Sequence, residues 1–281
     1  MTIFEFNWIN THHHINYYGN EWKPQNSPIG VIVLVHGLGE HIGRYKHVAQ
    51  VFTGNGYSVL ACDHAGHGQS GGKRGHVDSY EWFFEELDYL LDRCRQNYAD
   101  LPIFLYGHSL GGSIVLAYLL KRKPHVRGAI VTSPGIKLAS DPGVMLIFGK
   151  ILNRLVPSTA LNNGLKIEGL SKDPQVVEAY KNDPLVHPWI SARLGMELIE
   201  TGEWIRENGE QIHIPMLLLH GSADLLTSVE GSRQLAAKNP HFITYIEWEG
   251  GYHELHNEPD KDAVFRVILD WLEKHTHHPA E

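Results

Sequence analysis

With 281 residues, 42% of them hydrophobic and 20% charged, the chain has an ordinary globular make-up and enough apolar material for one large core or two modest ones. Its formal net charge of −8, carried by scattered acidic residues, speaks against a nucleic-acid footprint and supplies no strong attraction to anionic lipid. Cys62 and Cys94 are the two cysteines and lie in different segments, which speaks against a disulfide framework and for a reducing, cytoplasmic setting.

The first residues, Met1-Thr2-Ile3-Phe4-Glu5, lack a basic region followed by an apolar core, so no secretory signal is expected, nor is there a spanning run of about 20 apolar residues. Residues 3–8 and 12–18 alternate as a two-stranded hairpin, and Trp22–Pro28 reads as a turn-rich lead into a buried strand at Gly30–Val35. Short apolar runs then recur at Tyr57–Ala61, Ile103–Tyr106, Gly128–Thr132, Met216–His220 and Ile243–Glu247. Amphipathic stretches at 44–54, 80–97, 111–122, 229–238 and 261–274 separate them. This alternation predicts an α/β chain with a doubly wound, mostly parallel sheet of about eight strands, helices on both faces and a ligand crevice at the strand carboxyl ends.

One interval breaks the rhythm. More than eighty residues separate the strand ending at Thr132 from the one beginning at Met216, far beyond an ordinary connection, so an insertion must fold there. Val144–Val156 has Val144, Ile147, Phe148, Ile151, Leu152 and Leu155 at helical spacing, and Asp173–Lys181 and Ala192–Asn208 are further helices. The expected organisation is a core of residues 1–133 and 209–281 carrying a helical cap, 134–208, above the catalytic end of the sheet. The Val144–Val156 helix either packs on its own domain or, about 20 Å long, lies at a membrane surface with Lys150 and Arg154 toward the head groups.

Chemistry is announced by Gly107-His108-Ser109-Leu110-Gly111, a G-x-S-x-G pattern between an apolar strand and a helix-like segment. It places Ser109 on a tight turn at a strand end, facing a helix N-terminus that stabilises developing negative charge. A serine needs a histidine base and the histidine needs a carboxylate, which on this fold follow in the order Ser, acid, His. Asp224, just past Met216–Gly221, fits the acid, and His253, in Gly250-Gly251-Tyr252-His253, fits the base. His256 is the rival base and Asp63 the rival acid, but His256 has moved toward the next helix and Asp63 precedes the serine. His36, His108 and His220 read as structural. Two N–H donors for an oxyanion are expected from Leu110 and from the His36-Gly37-Leu38-Gly39-Glu40 loop, at Leu38.

His36–His41 with Arg44-Tyr45, then Asp63-His64-Ala65-Gly66-His67-Gly68-Gln69-Ser70, then Gly107–Gly112, together resemble monoacylglycerol lipases and the bacterial lysophospholipase-like α/β-hydrolases beside them. The resemblance runs from about residue 28 to the C-terminal helix. It implies the α/β-hydrolase fold, Ser109, Asp224 and His253 as a triad, Leu38 and Leu110 as oxyanion donors, and a lipid-facing cap. It also implies contact of Glu40, Arg44 and His256 with a glycerol-like head group, against which stands a structural Glu40–Arg44 pair bracing the oxyanion loop. The implied substrate is a small lipid ester, monoacylglycerol foremost. A lysophospholipase or general carboxylesterase on the same triad is the alternative, and a non-catalytic ligand-binding module is the rival from another class.

No cofactor is expected, and no metal. Asp63, His64 and His67 read as a hydrogen-bonded glycine turn, and His12-His13-His14, His275, His277 and His278 as strand and tail residues.

Overall fold

The structure is a computed structural model that describes residues 1–140 and 143–277, with backbone alone at 144 and 145; His278 lies outside the described residues. In chain order the elements are β1 (Thr2–Asn10), β2 (Ile15–Lys23), β3 (Gly30–Val35), α1 (Lys46–Gly54), β4 (Tyr57–Cys62), α2 (Glu81–Asn97), β5 (Ile103–His108), α3 (Leu110–Arg122) and β6 (Gly128–Thr132). The long interval holds α4 (Val144–Leu155), β7 (Ala160–Asn162), α5 (Pro174–Asn182), β8 (Trp189–Ser191) and α6 (Ala192–Asn208). The chain closes with β9 (Met216–Gly221), α7 (Val229–Lys238), β10 (Ile243–Trp248) and α8 (Lys261–His277).

An eight-stranded sheet forms in the order β1-β2-β4-β3-β5-β6-β9-β10. The β1–β2 and β2–β4 pairs are antiparallel and all the others parallel. Its strands read as unbroken apolar runs because both faces are covered. Side-chain alternation divides them: Val31, Val33 and Val35 of β3 enter a core built with α2 and α3, while Ile32 and Leu34 enter a second core with α1 and α8. The second strand of the entry hairpin runs on to Lys23 and so absorbs Trp22, which is buried among the α1 and α8 side chains rather than leading a turn.

The site is positioned by where the strand order reverses. β3 lies between β4 and β5, so the loops leaving β3 and β5 emerge side by side at the carboxyl edge, with Val35 opposite Gly107. The insertion leaves from the end of β6 at that same edge. Its α6 carries Leu194 and Ile205 into the core shared with α3 and so returns the chain to β9. Sequence pattern located α4, α5 and α6 but not the antiparallel β7–β8 ribbon, whose three-residue strands are too short to show a period.

Close approach of α3 to β3 depends on Gly111, where a β-carbon would stand 2.0 Å from the Val35 carbonyl oxygen and 2.6 Å from that of His36. Both are backbone atoms and cannot swing aside. Gly111→Ala is therefore expected to cost about 3 kcal/mol or more in urea unfolding. Gly54→Ala, in a position with no atom within 4 Å, is expected to be neutral or stabilising by about 0.5–1 kcal/mol.

Candidate active site

Ser109 stands between β5 and α3 with φ 55° and ψ −118°, a conformation that side-chain-bearing residues avoid and that costs on the order of 1–3 kcal/mol. Its surroundings over-determine it. The Ser109 N–H donates to the Thr132 carbonyl at 3.1 Å, and its own carbonyl accepts from Ser113 N at 3.1 Å and Gly135 N at 2.9 Å. A β-carbon at Gly107 would meet the Gly111 carbonyl oxygen at 2.5 Å, which is why the flanking residues are glycines. The strained turn leaves the serine half-exposed at the floor of a cavity.

Asp224 sits in the turn after β9 with no solvent on its side chain. Oδ1 accepts from Leu226 N at 2.7 Å and Thr227 N at 3.1 Å; Oδ2 accepts from Thr227 Oγ1 at 2.9 Å and lies 2.7 Å from His253 Nδ1 and 3.2 Å from His220 Nε2. Burial pushes this carboxyl upward, but the His253 and His220 rings outweigh it and hold it far below the usual carboxylate range. Asp224 is thus an acceptor, so His253 Nδ1 carries the hydrogen and Nε2 is the nitrogen left to take a proton.

His253 follows the Gly250-Gly251 turn, where Gly250 has φ +67°. Burial disfavours a charged ring there; Asp224, with Glu254 and Glu40 further off, more than offsets it and raises His253 above its ordinary value. Its ring centroid is 4.8 Å from that of His108, which is itself 4.8 Å from His256. Those two neighbours behave oppositely. Burial lowers His256 to about 3 and holds His108 well below its usual value, so of the three His253 alone is poised to hold a proton. The rival acid, Asp63, is consumed in its own turn, accepting from Ile42 N at 2.8 Å and Gln69 N at 2.7 Å.

Ser109 and His253 line one cavity of ≈ 170 Å³, together with Leu38 and Leu110. Among the described residues no hydrogen bond joins the Ser109 hydroxyl to His253, a contact of a kind that tightens with substrate bound. Among the described residues neither the Leu38 nor the Leu110 amide donates to a protein acceptor, so both are available to a ligand. Leu138, Leu165, Leu170, Ile190, Leu198, Ile199 and Leu226 make the walls apolar; Glu40, Glu254, Thr227 and Asn163 supply polar positions.

Glu40 braces the loop. Oε1 accepts from Gly37 N and from Tyr45 Oη, both at 2.6 Å, while Oε2 pairs with Arg44. Arg44 also grips Glu254 with two bonds of 2.8 Å and lies under the Tyr180 ring, 4.8 Å from its centroid. This buried pairing joins the oxyanion-side loop to the histidine loop; of Glu40, Arg44 and His256, Glu40 alone reaches the cavity wall. Sequence reasoning gave Thr227 no role and read His220 as structural; their grip on Asp224 comes from the turn and from the strand end before it. His64 Nδ1 pairs with Glu86 at 2.5 Å and His67 Nδ1 lies 3.0 Å from the Ala65 carbonyl. Among the described residues no group of His, Cys, Asp and Glu is arranged to hold a metal ion.

The family model described as serine aminopeptidase, S33, matches residues 26–260. An uncharacterized abhydrolase domain-containing protein of Dictyostelium discoideum is 39% identical over 90% of this chain, which spans 27% of that protein's length. A monoacylglycerol lipase of Mycolicibacterium smegmatis is 36% identical, with 90% of this chain and 91% of the relative covered. The crystal structure of a Paleococcus ferrophilus monoacylglycerol lipase superposes with a TM-score of 0.85 at 38% identity, covering 92% of this chain and 99% of that one.

The electrostatics make a direct prediction for imidazole titration followed by NMR. His253 should gain its proton above pH 6.5, the ordinary midpoint, while His108 and His256 stay neutral well below it. Asp224→Asn removes the main group favouring the imidazolium, so the His253 midpoint should move downward; an unchanged midpoint contradicts the assignment.

Proposed function

Because the chain belongs to the serine aminopeptidase S33 family of α/β-hydrolase-fold serine hydrolases, we propose that it cleaves carboxylic esters of lipid-like substrates, monoacylglycerols foremost, through an acyl-enzyme on Ser109. One observation carries the reading: an imidazole anchored to a buried carboxylate opens onto the same apolar cavity as a serine and two unengaged amides. His253 Nε2 takes the Ser109 proton as the hydroxyl oxygen attacks the ester carbonyl. The Leu38 and Leu110 N–H groups hold the resulting oxyanion, a contribution of about 10²–10³ in rate for one such donor. His253 then passes its proton to the departing alcohol oxygen, and water repeats the cycle on the acyl-enzyme. Asp224 stays ionised throughout and fixes the ring's tautomer.

The insertion, residues 134–208, acts as the cap. Its Leu138, Leu165, Leu170, Ile190, Leu198 and Ile199 wall the cavity and suit an acyl chain, and the polar positions at Glu40 and Glu254 suit a hydroxylated alcohol. The monoacylglycerol lipases of Mycolicibacterium smegmatis and Paleococcus ferrophilus support monoacylglycerol, whereas a Bacillus subtilis phospholipase, 34% identical over 90% of this chain, supports the phospholipid-cleaving alternative.

Delivery of such a substrate is the part we assign to α4. Ile147, Phe148, Ile151 and Leu155 are 50–71% exposed, and Val156 beside them 45%, a contiguous apolar stripe on one helix. Lys150 and Arg154 are also exposed on this helix. No helix among the described residues is long and apolar enough to cross a membrane, so the stripe suits transient docking in the lipid interface.

A fluorophosphonate probe should label Ser109, and Ser109→Ala should lose both labelling and ester hydrolysis. Glycerol release from long-chain monoacylglycerol should outpace turnover of lysophospholipid and of short p-nitrophenyl esters; faster lysophospholipid turnover overturns the substrate choice. In vesicle co-sedimentation, Phe148→Asp with Ile151→Asp should reduce binding several-fold and leave hydrolysis of a short soluble ester intact. Unchanged sedimentation removes α4 from the docking role.

A further inference from the structure

The loop that carries His253 has little internal structure of its own. It leaves β10 through a turn closed by Gly251 N–H on the Trp248 carbonyl and makes a second short turn at Leu255–Asn257 before α8. Beside Arg44 on Glu254 and Asp224 on His253, a strap from the insertion, residues 169–172, fixes it from outside. The Gly169 carbonyl accepts His253 N–H at 3.2 Å and the Leu170 carbonyl accepts Glu254 N–H at 2.8 Å. Ser171 Oγ donates to the Asn257 carbonyl at 3.0 Å. The far end is tied by Glu258, whose Oε1 accepts Lys172 N–H at 2.8 Å and whose Oε2 stands 3.1 Å from Lys172 Nζ.

Glu258 has no solvent exposure, whereas its lysine partner is 40% exposed. A carboxylate is costly to bury unless it is paired and hydrogen-bonded, and here its pairing is with the strap. The strap also leans on the acid's loop: a β-carbon at Gly169 would stand 2.7 Å from Leu226 Cδ1 and 3.0 Å from Leu225 Cβ. One short segment therefore registers the loops of both His253 and Asp224, and Glu258 is the side chain that clamps it.

We propose that Glu258 is a positioning residue for His253, holding the 169–172 strap against residues 253–258 so that the imidazole stays over Ser109. This rests on the catalytic reading of Ser109 and His253. Misplacement of a catalytic group by about 1 Å costs as much as 10²-fold in rate, so loosening the clamp acts on turnover before binding. The hydrogen bond from Lys172 N–H to Oε1 is the essential contact; the exposed Lys172 ammonium adds little.

The experiment measures kcat and KM on one monoacylglycerol for Glu258→Ala, Glu258→Gln, Ser171→Ala and Lys172→Met, each checked for folding by thermal unfolding. Glu258→Ala should lower kcat about 10- to 100-fold with KM changed less than about 2-fold. Glu258→Gln, which keeps an oxygen for Lys172 N–H, should restore most of the loss. Ser171→Ala should fall between, and Lys172→Met should stay near wild type. Folded Glu258→Ala with wild-type kcat, or Glu258→Gln no better than Glu258→Ala, overturns the proposal. If Glu258→Ala does not fold, a wild-type kcat in Ser171→Ala overturns it. Ser109→Ala run alongside separates the two levels: activity that survives it defeats the catalytic reading, whereas Ser109-dependent activity indifferent to the strap defeats this proposal alone.

Discussion

A carboxylate without solvent must be kept ionised by what surrounds it, and the arrangement around Asp224 does this with two backbone amides, the Thr227 hydroxyl and two imidazoles. The rest of the site follows from that anion. It fixes which His253 nitrogen carries hydrogen and favours the charged ring against burial. The ring it holds lines the same cavity as Ser109. The serine's own contribution is backbone strain, and the glycines at 107 and 111 let the strand and helix close around it without collision.

Much of this was legible in the sequence, for identifiable reasons. Strands buried on both faces write themselves as unbroken apolar runs, so Gly30–Val35 and Gly128–Thr132 match the structure to the residue, and the other central strands differ by one or two at their ends. The elbow was legible because a strained serine demands small neighbours at fixed spacing. Asp224 and His253 were picked out by chain order and by their places after strands, and the structure pairs them at 2.7 Å. The grip of Thr227 and His220 on Asp224 was not, since it depends on how a turn closes rather than on spacing. Nor was the Glu258 contact: residues 172 and 258 are brought together only when insertion and core dock, and each alone reads as an ordinary surface charge. The β7–β8 ribbon escaped for want of length.

The insertion divides physically into parts with different attachments. Its last helix is a core element, with Leu194 and Ile205 buried against the main sheet's helices. Its middle is tied to the histidine loop through 169–172 and to the oxyanion-side loop through His187 N–H, which donates to the Gly39 carbonyl at 2.9 Å. Asp183 adds a 2.9 Å contact to His41. The α4 segment, by contrast, turns large apolar side chains to solvent. Stability is therefore unevenly distributed over the insertion.

Three imidazoles stand in a row at this site, from His253 through His108 to His256, with ring centroids 4.8 Å apart at each step. Their affinities for a proton do not match. His108 and His256 are both held against becoming cations by burial, so in the proposed cycle a proton taken up by His253 has a single berth and does not migrate along the row. Its one way out is back toward the cavity.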